Sequence, residues 1–313
     1  MTETGHVDFS HFYNNRTVLV TGATGFIGTP LCRRLVENGA NVYALSRSSQ
    51  ESTSGELHWI QADLANISSV RQIFNQVNPD IIFHFSGLST AATDLELVIP
   101  TFQSLLASTV YLLVSAADLG CSRFVLPGSL TEPVVGHFNP GSPYGAAKWA
   151  SSIYGRMFFD LYKTPVVNIR PFMTYGPGQS LGKLVPYATL SALRGESPKL
   201  SSGEWKADWI YVDDVVAGFL AAGATPGIDG LTIDLGSGEL TTIALVVQKI
   251  IDLTGHKVKP IFGSQPDRPF EQIRVADTKQ AYATLGWQPT ISLTEGLERT
   301  ISWLRVRVKE EAF

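Results

Sequence analysis

Apolar positions along the chain fall into two alternating rhythms. Short apolar runs at Thr17–Val20, Asn41–Leu45, Trp59-Ile60, Ile81–Phe85, Phe124–Leu126, Val166–Ile169 and Leu231–Leu235 read as strands. The run Ile81–Phe85 is continuous, as in a strand buried on both faces. Between the runs, apolar residues recur at helical spacing: Leu31, Leu35 and Val36, then Val70, Ile73, Phe74 and Val77, stopped near Asn78-Pro79. One long helix is predicted from Leu97 to Leu119, and another opens at Pro143 and runs through Ile153, Met157 and Leu161. Strand–helix alternation through residue 126 predicts an α/β fold, a doubly wound parallel sheet covered on both faces.

The later pattern is more varied. Pro186–Leu193 and Ile243–Leu253 read as helices, and Gly195–Lys206 reads as an edge hairpin over the substrate. Asp213 and Asp214 precede Val215, Val216 and Phe219, so they read as acids at a helix start, favoured by the dipole, and not as metal ligands. Trp303 belongs to a final helix that ends in a solvated Lys309-Glu310-Glu311 tail. The expected division is an N-terminal extension at 1–16, a dinucleotide-binding domain at 17–172 with 205–235, and a smaller C-terminal substrate lobe at 173–204 with 236–313.

Candidate chemistry starts at Thr21-Gly22-Ala23-Thr24-Gly25-Phe26-Ile27-Gly28, between the first strand and the first long helix. Gly22 permits a tight turn, Gly25 lets the backbone approach a pyrophosphate, and Gly28 lets the helix lie close to the strand. Exposed N–H groups of the first helical turn then face the anion, with Thr24, Gly25, Phe26 and Ile27 expected as cofactor contacts, which predicts a Rossmann-type dinucleotide site. The second strand ends in Ser46-Arg47-Ser48 with no carboxylate. A guanidinium and hydroxyls suit a 2′-phosphate, so NADP(H) is favoured and NAD(H) is the alternative. Asp63 and Leu64 after the third strand are expected near the adenine. Ser86 and Ser129 follow the fourth and fifth strands, at the same carboxyl edge of the sheet.

Tyr144 and Lys148 are four residues apart at the start of a helix and share one face. An ammonium alongside a phenol is expected to favour the phenolate and bring it into the working range of an acid/base catalyst. Ser129 or Thr131 could then hydrogen-bond a substrate carbonyl. His84, alone in an apolar run, reads as a hydrogen-bonded core residue.

Composition narrows the picture. At 313 residues the chain can bury a sizeable core, and 44% hydrophobic with 17% charged residues describes a globular enzyme. A net charge of −4 leaves no footprint for nucleic acid. Cys32 and Cys121 form neither a disulfide framework nor a metal-ligand spacing, which fits a reducing cytoplasm. Residues 1–16 lack the apolar core of a signal peptide, and no run of about 18 apolar residues suggests a membrane span.

With these residues in hand, the chain resembles an extended short-chain dehydrogenase/reductase of the epimerase/dehydratase branch, which works on nucleotide-linked sugars. The likeness covers nearly the whole chain. It is carried by Thr21–Gly28, Asp63, Tyr144–Lys148, Arg170–Pro177, Trp209–Asp214, Asp267-Arg268-Pro269 and Leu285–Pro289. The resemblance implies Tyr144 as general acid/base, Lys148 holding the nicotinamide ribose, and a Ser/Thr after the fifth strand on the reacting oxygen. Counting from Arg123-Phe124-Val125 puts that hydroxyl at Ser129; counting back from Val135-Gly136 puts it at Thr131. The resemblance further implies substrate contacts from Lys183 and from Arg268, the latter on a phosphate or ribose.

Departures from the family pattern shape the expected reaction. Met173 stands where an asparagine would bind the substrate diphosphate, and Ser104 or Leu105 stands near the place of an asparagine that supports the lysine. Thr131-Glu132-Pro133 offers at most one carboxylate, which disfavours dehydration. The reading that results is an NADPH-dependent reductase of a keto group on a nucleotide-linked deoxysugar, with Phe262–Pro289 similar to keto-sugar reductases. The alternatives are an NAD-retaining nucleotide-sugar epimerase, a reductase of a non-sugar secondary metabolite, and a dinucleotide-sensing binding protein. The apolar helices at 97–119 and 143–162 imply a homodimer by the same resemblance.

Overall fold

Val18, Leu19 and Val20 have no solvent exposure and lie inside a seven-stranded sheet. The computed structural model describes residues 9–50, 57–133, 139–267 and 272–310. The sheet comprises β1 (Thr17–Thr21), β2 (Asn41–Ser46), β3 (Leu57–Gln61), β4 (Ile81–His84), β5 (Arg123–Pro127), β6 (Val166–Pro171) and β9 (Thr232–Leu235), in the order β3-β2-β1-β4-β5-β6-β9. β3 through β6 pair in parallel, with Thr21 beside Leu45 on one side and His84 on the other. Strand order reverses between β1 and β4, so ligands belong outside their carboxyl ends.

The chain divides into two units: 1–171 with 216–234 and 279–287, and 172–215 with 235–278 and 288–313. In the larger unit the helices are α1 (Ser10–Tyr13), α2 (Gly28–Glu37), α3 (Ile67–Val77), α4 (Val98–Thr101), α5 (Ser108–Leu119) and α6 (Pro143–Tyr162). α3 begins where the Asn66 side chain accepts from Ser68 and Ser69 N–H, and it ends at Asn78 in the left-handed conformation before Pro79. Its Val70, Ile73, Phe74 and Val77 meet Leu112, Leu113 and Ala116 of α5 in the core over Leu19, Ile82 and Phe124. Residues 9–16 are less of an extension than expected. Tyr13 is fully buried and donates to the Leu220 carbonyl at 2.6 Å.

The predicted helix at 97–119 is one helical rod with an interruption. A 3₁₀ turn (Leu95–Leu97) leads into α4, and Phe102–Ala107 is π-helical before α5. Pro100 has no N–H for the ladder, and Ser104, Ser108 and Thr109 hydroxyls donate to the carbonyls of Pro100, Ser104 and Leu105. The hydroxyls compete for carbonyls that the ladder would otherwise use, which accounts for the wider turns. Over Leu95–Leu119 the helix is long and apolar enough to cross a membrane by length and composition, contrary to the sequence expectation. In the fold, α5 packs on α3 and α6.

The smaller unit holds β7 (Met173–Tyr175), β8 (Lys206–Tyr211) and β10 (Leu240–Thr242) as a second sheet, order β10-β8-β7. α7 (Leu184–Leu193), α9 (Ile243–Thr254) and α11 (Leu293–Glu310) pack on one another. α8 (Val212–Ala224) and α10 (Thr278–Leu285) cross the division between the units. Residues 205–215 thus join the smaller unit and not the dinucleotide domain, because β8 pairs with β7 and β10. The expected hairpin at Gly195–Lys206 does not form. Gly195 and Gly203 have φ of +74° and +78°, and the stretch makes a single parallel bridge, Lys199 to Ile261.

Candidate active site

The turn after β1 is shaped by backbone contacts that exclude side chains. Gly22 has φ +66°, and a Cβ there would lie 2.6 Å from the Phe85 carbonyl carbon. A Cβ at Gly28 would run into the Gly22 carbonyl oxygen, and one at Gly25 would lie 3.0 Å from it. The N-cap of α2, Ile27, makes no side-chain capping bond, and the first turn carries no acid. Its leading N–H groups therefore suit an anion, and the turn with Thr24, Gly25 and Phe26 fits a dinucleotide diphosphate. The Thr21 hydroxyl accepts from Ser86 N–H at 3.1 Å and stands 2.7 Å from His84 Nδ1. His84 Nε2 stands 3.0 Å from the Thr109 hydroxyl. Burial, helped by the Lys148 charge, lowers its pKa to about 3, so this imidazole is a neutral core link from the turn to α5.

The other cofactor candidates line the same strand ends. Ser46 is buried and its hydroxyl lies 3.3 Å from that of Ser48, whose N–H it accepts at 3.2 Å. Arg47 is exposed between them. Asp63 is exposed and accepts from Ala65 N–H at 3.0 Å, while Leu64 turns into the core.

Helix α6 delivers the chemistry-bearing pair. Ser142 caps it by accepting from Gly145 N–H at 3.1 Å, with Pro143 at the first helical position. One turn later Lys148 is buried and donates to the Pro127 carbonyl at 2.9 Å. Burial lowers its pKa to about 8, against an opposing pull from Glu132. The Ser129 and Ser89 hydroxyls lie close enough to the Tyr144 phenol to shift its titration. Burial raises its phenol above the ordinary range, the Ser129 bond lowers it, the Glu132 charge raises it and the Ser89 bond lowers it. Lys148 is anchored to β5, and the phenol is shifted first by burial and then by the neighbouring hydroxyls and the Glu132 carboxylate.

Of the two candidate hydroxyls, Ser129 meets the phenol, and Thr131 stands behind it with its Oγ1 2.9 Å from Ser129 Oγ. Lys183, the N-cap of α7, and Met173, which opens β7, belong to the smaller unit. Arg268 and the Val135-Gly136 pair lie outside the described residues. Ser104 is occupied structurally, accepting from Leu88 N–H at 3.2 Å and donating to the Pro100 carbonyl at 2.7 Å.

Two acids at and just before the Trp209–Asp214 motif act as clamps. Asp208, just before it, accepts from Ser237, Gly238 and Ala276 N–H, and Asp214 accepts from Thr290 and Ile291 N–H. Asp213 pairs with Arg299 at 3.7 Å. Among the described residues no cluster of metal-ligating side chains occurs. Sequence reasoning missed Ser89, whose signal was its place just beyond β4 in a hydroxyl-rich stretch. It also weighed Glu132 only as an acid for elimination.

A parallel sheet with a glycine turn at its switch point and a Tyr-Lys helix beside a hydroxyl defines an NAD(P)-dependent oxidoreductase of the extended short-chain type. The chain belongs to the NAD dependent epimerase/dehydratase family, which matches residues 18–233. It is 28% identical to a UDP-glucose 4-epimerase of Mycolicibacterium smegmatis, over 92% of this chain and 98% of that one. The fold is similar to UDP-glucose 4-epimerase of Thermotoga maritima solved with UDP-glucose: TM-score 0.85, 26% identity, 93% of this chain and 99% of that one. It is also similar to MoeE5 in complex with UDP-glucose and NAD, at TM-score 0.83 and 27% identity, over 93% and 99% of the two chains.

Proposed function

We propose that this enzyme acts on a nucleotide-linked sugar, by epimerisation at a hydroxyl-bearing carbon with NAD retained. The observation that carries the reading is the Tyr144 phenol of α6 beside the Ser129 hydroxyl that follows β5, in the unit that holds the Gly22–Gly28 turn. The likeness to UDP-glucose 4-epimerases along nearly the whole chain supports epimerisation over net reduction. When bound, the nicotinamide supplies reversible hydride acceptance.

The chain's own residues manage the proton and the position. Tyr144 Oη, as the phenolate, takes the sugar hydroxyl proton and, as the phenol, gives it back, and Ser129 Oγ donates to the same oxygen as negative charge gathers on it. Lys148, fixed to Pro127, holds the ribose side. Ser46-Arg47-Ser48, with no carboxylate, favours a second reading, an NADPH-dependent keto-sugar reductase. We read the exposed Ile99 and Phe102 with Leu161 and Tyr162, on helices that pack together, as a homodimer face.

One experiment separates the readings. Purified protein is denatured and the released nicotinamide identified, and native protein is incubated with UDP-glucose. Epimerisation gives bound NAD, a C4-epimeric product and no net change at the nicotinamide band. Stoichiometric consumption of added NADPH with a 4-keto-sugar, and no epimer, would establish the reductase instead.

A further inference from the structure

Glu132 is 4% exposed, and its carboxylate is close enough to Tyr144 and Lys148 of α6 for its charge to act on both. Its Oε1 accepts from Ser129 N–H at 2.7 Å and from the Ser152 hydroxyl at 2.9 Å. Its own N–H donates to the Ser129 carbonyl at 3.1 Å, so residues 129–132 form a turn closed twice, once by backbone and once by the side chain. Within it, Thr131 N–H donates to Ser129 Oγ at 3.2 Å. Gly128 makes room: a Cβ there would strike Glu132 Oε1 and lie 2.7 Å from Arg170 Cγ. An acid that serves as a proton donor to substrate would stand open beside Tyr144. This one is enclosed, with an oxygen committed to the main chain of the residue that faces the phenol.

We propose that Glu132 is a positioning residue, which ties the 129–132 turn to α6 through Ser152 and so sets where the Ser129 hydroxyl stands against the Tyr144 phenol. The proposal rests on the reading of Tyr144 and Ser129 as the reacting pair. A hydrogen bond to an ionised acceptor is stronger than one to a neutral acceptor, and this one fixes Ser129 N–H while Thr131 engages the Ser129 hydroxyl. The charged and titratable groups around the carboxylate are Lys148, Tyr144 and Arg156 on α6 and Arg170 on β6, itself paired with Asp234 at 2.7 Å. Burial raises the Glu132 pKa, and the Ser129 and Ser152 bonds with Arg170 and Lys148 lower it. Its negative charge in turn raises both Tyr144 and Lys148. Position and charge therefore separate by substitution.

The test compares Glu132→Gln, Glu132→Ala and Ser152→Ala in the full chain with bound cofactor, using UDP-glucose and pH profiles of kcat and kcat/KM. Glu132→Gln keeps an acceptor for Ser129 N–H but no charge. It is expected to hold kcat within about threefold while moving the Tyr144 limb of the profile to lower pH. Glu132→Ala is expected to lower kcat about 10- to 100-fold with KM for UDP-glucose within about threefold, as misplacement of a reacting group does. Ser152→Ala, which keeps the carboxylate but frees one end of the tie, is expected between them and stands in if Glu132→Ala does not fold. Hydrogen exchange at Ser129 N–H is expected to quicken in Glu132→Ala and not in Glu132→Gln. Wild-type kcat and exchange in Glu132→Ala, or in Ser152→Ala standing in for it, would overturn the proposal. So would Glu132→Gln as inactive as Glu132→Ala, since the carboxylate would then be an acid/base itself. If Tyr144→Phe and Ser129→Ala turn over normally, the underlying reading has failed, and the exchange result still reports on the tie.

Discussion

Lys148 Nζ donates to the Pro127 carbonyl at 2.9 Å, which fixes the cation one turn beyond Tyr144 to the last residue of β5. The bond links the helix of the reacting pair to the strand whose end carries Ser129. Lys148→Met removes the cation and leaves that carbonyl unpaired in a buried place. We expect weaker NAD(P) binding by fluorescence titration and a stability loss of about 1–3 kcal/mol in urea. A group with a pKa near 8 holds its charge below that pH and loses it above. In wild type, cofactor affinity should therefore weaken as pH rises through 8, and Lys148→Met should flatten the dependence.

Tyr144 is expected to matter far more for turnover than for binding. Tyr144→Phe keeps the ring and its packing and removes the proton carrier. Turnover with UDP-glucose should fall about 100- to 10,000-fold, with cofactor affinity unchanged by titration. Normal turnover would remove Tyr144 from the reaction.

His84 gives a pH signature in stability. Its folded pKa is lowered to about 3, so the unfolded chain binds the proton at ordinary imidazole pH while the folded chain does not. Stability is full above about pH 6.5 and falls as pH drops through the window toward 3, by up to about 1.4 kcal/mol per pH unit. Urea midpoints between pH 8 and 4 should show the slope, and His84→Gln should reduce it.

The glycine turn should resist the smallest substitution. Gly22→Ala meets both a positive φ and the Phe85 backbone, which the sheet holds in place. We expect about 1–3 kcal/mol of destabilisation and a loss of cofactor binding measurable by titration. Gly182→Ala, where an added Cβ has nothing within 4 Å, is the control and should change neither.

Arg47 is exposed, so its removal should leave the urea midpoint unchanged. Arg47→Ala is expected to weaken NADP about tenfold, as loss of a charge-assisted pair does, and to leave NAD unaffected. Equal effects on both cofactors would remove Arg47 from 2′-phosphate recognition.

The parallel sheet was legible because apolar runs of four or five residues between helical periods leave few other arrangements, and β1, β4 and β5 fall on the predicted runs. The second sheet was not. β7 and β10 are three residues each, and β8 joins them only through long-range pairing, which carries no local period. The same limit hid the double role of the Asp208 and Asp214 carboxylates. Asp208 accepts from segments 29 to 68 residues away and Asp214 from one 76 to 77 residues away.

At the site, the amino-acid order by itself determined which groups stand at the strand ends. Gly22, Ser86, Ser129 and the Tyr144–Lys148 turn follow from where strands stop and helices start, because backbone hydrogen bonding fixes those ends locally. Only the tertiary structure decided which side chains touch. It brought the Ser129 and Ser89 hydroxyls close to Tyr144, sent Lys148 to a carbonyl, and bonded Glu132 to Ser129 N–H. Those choices depend on burial and on charges brought close by packing, and no spacing along a chain records either.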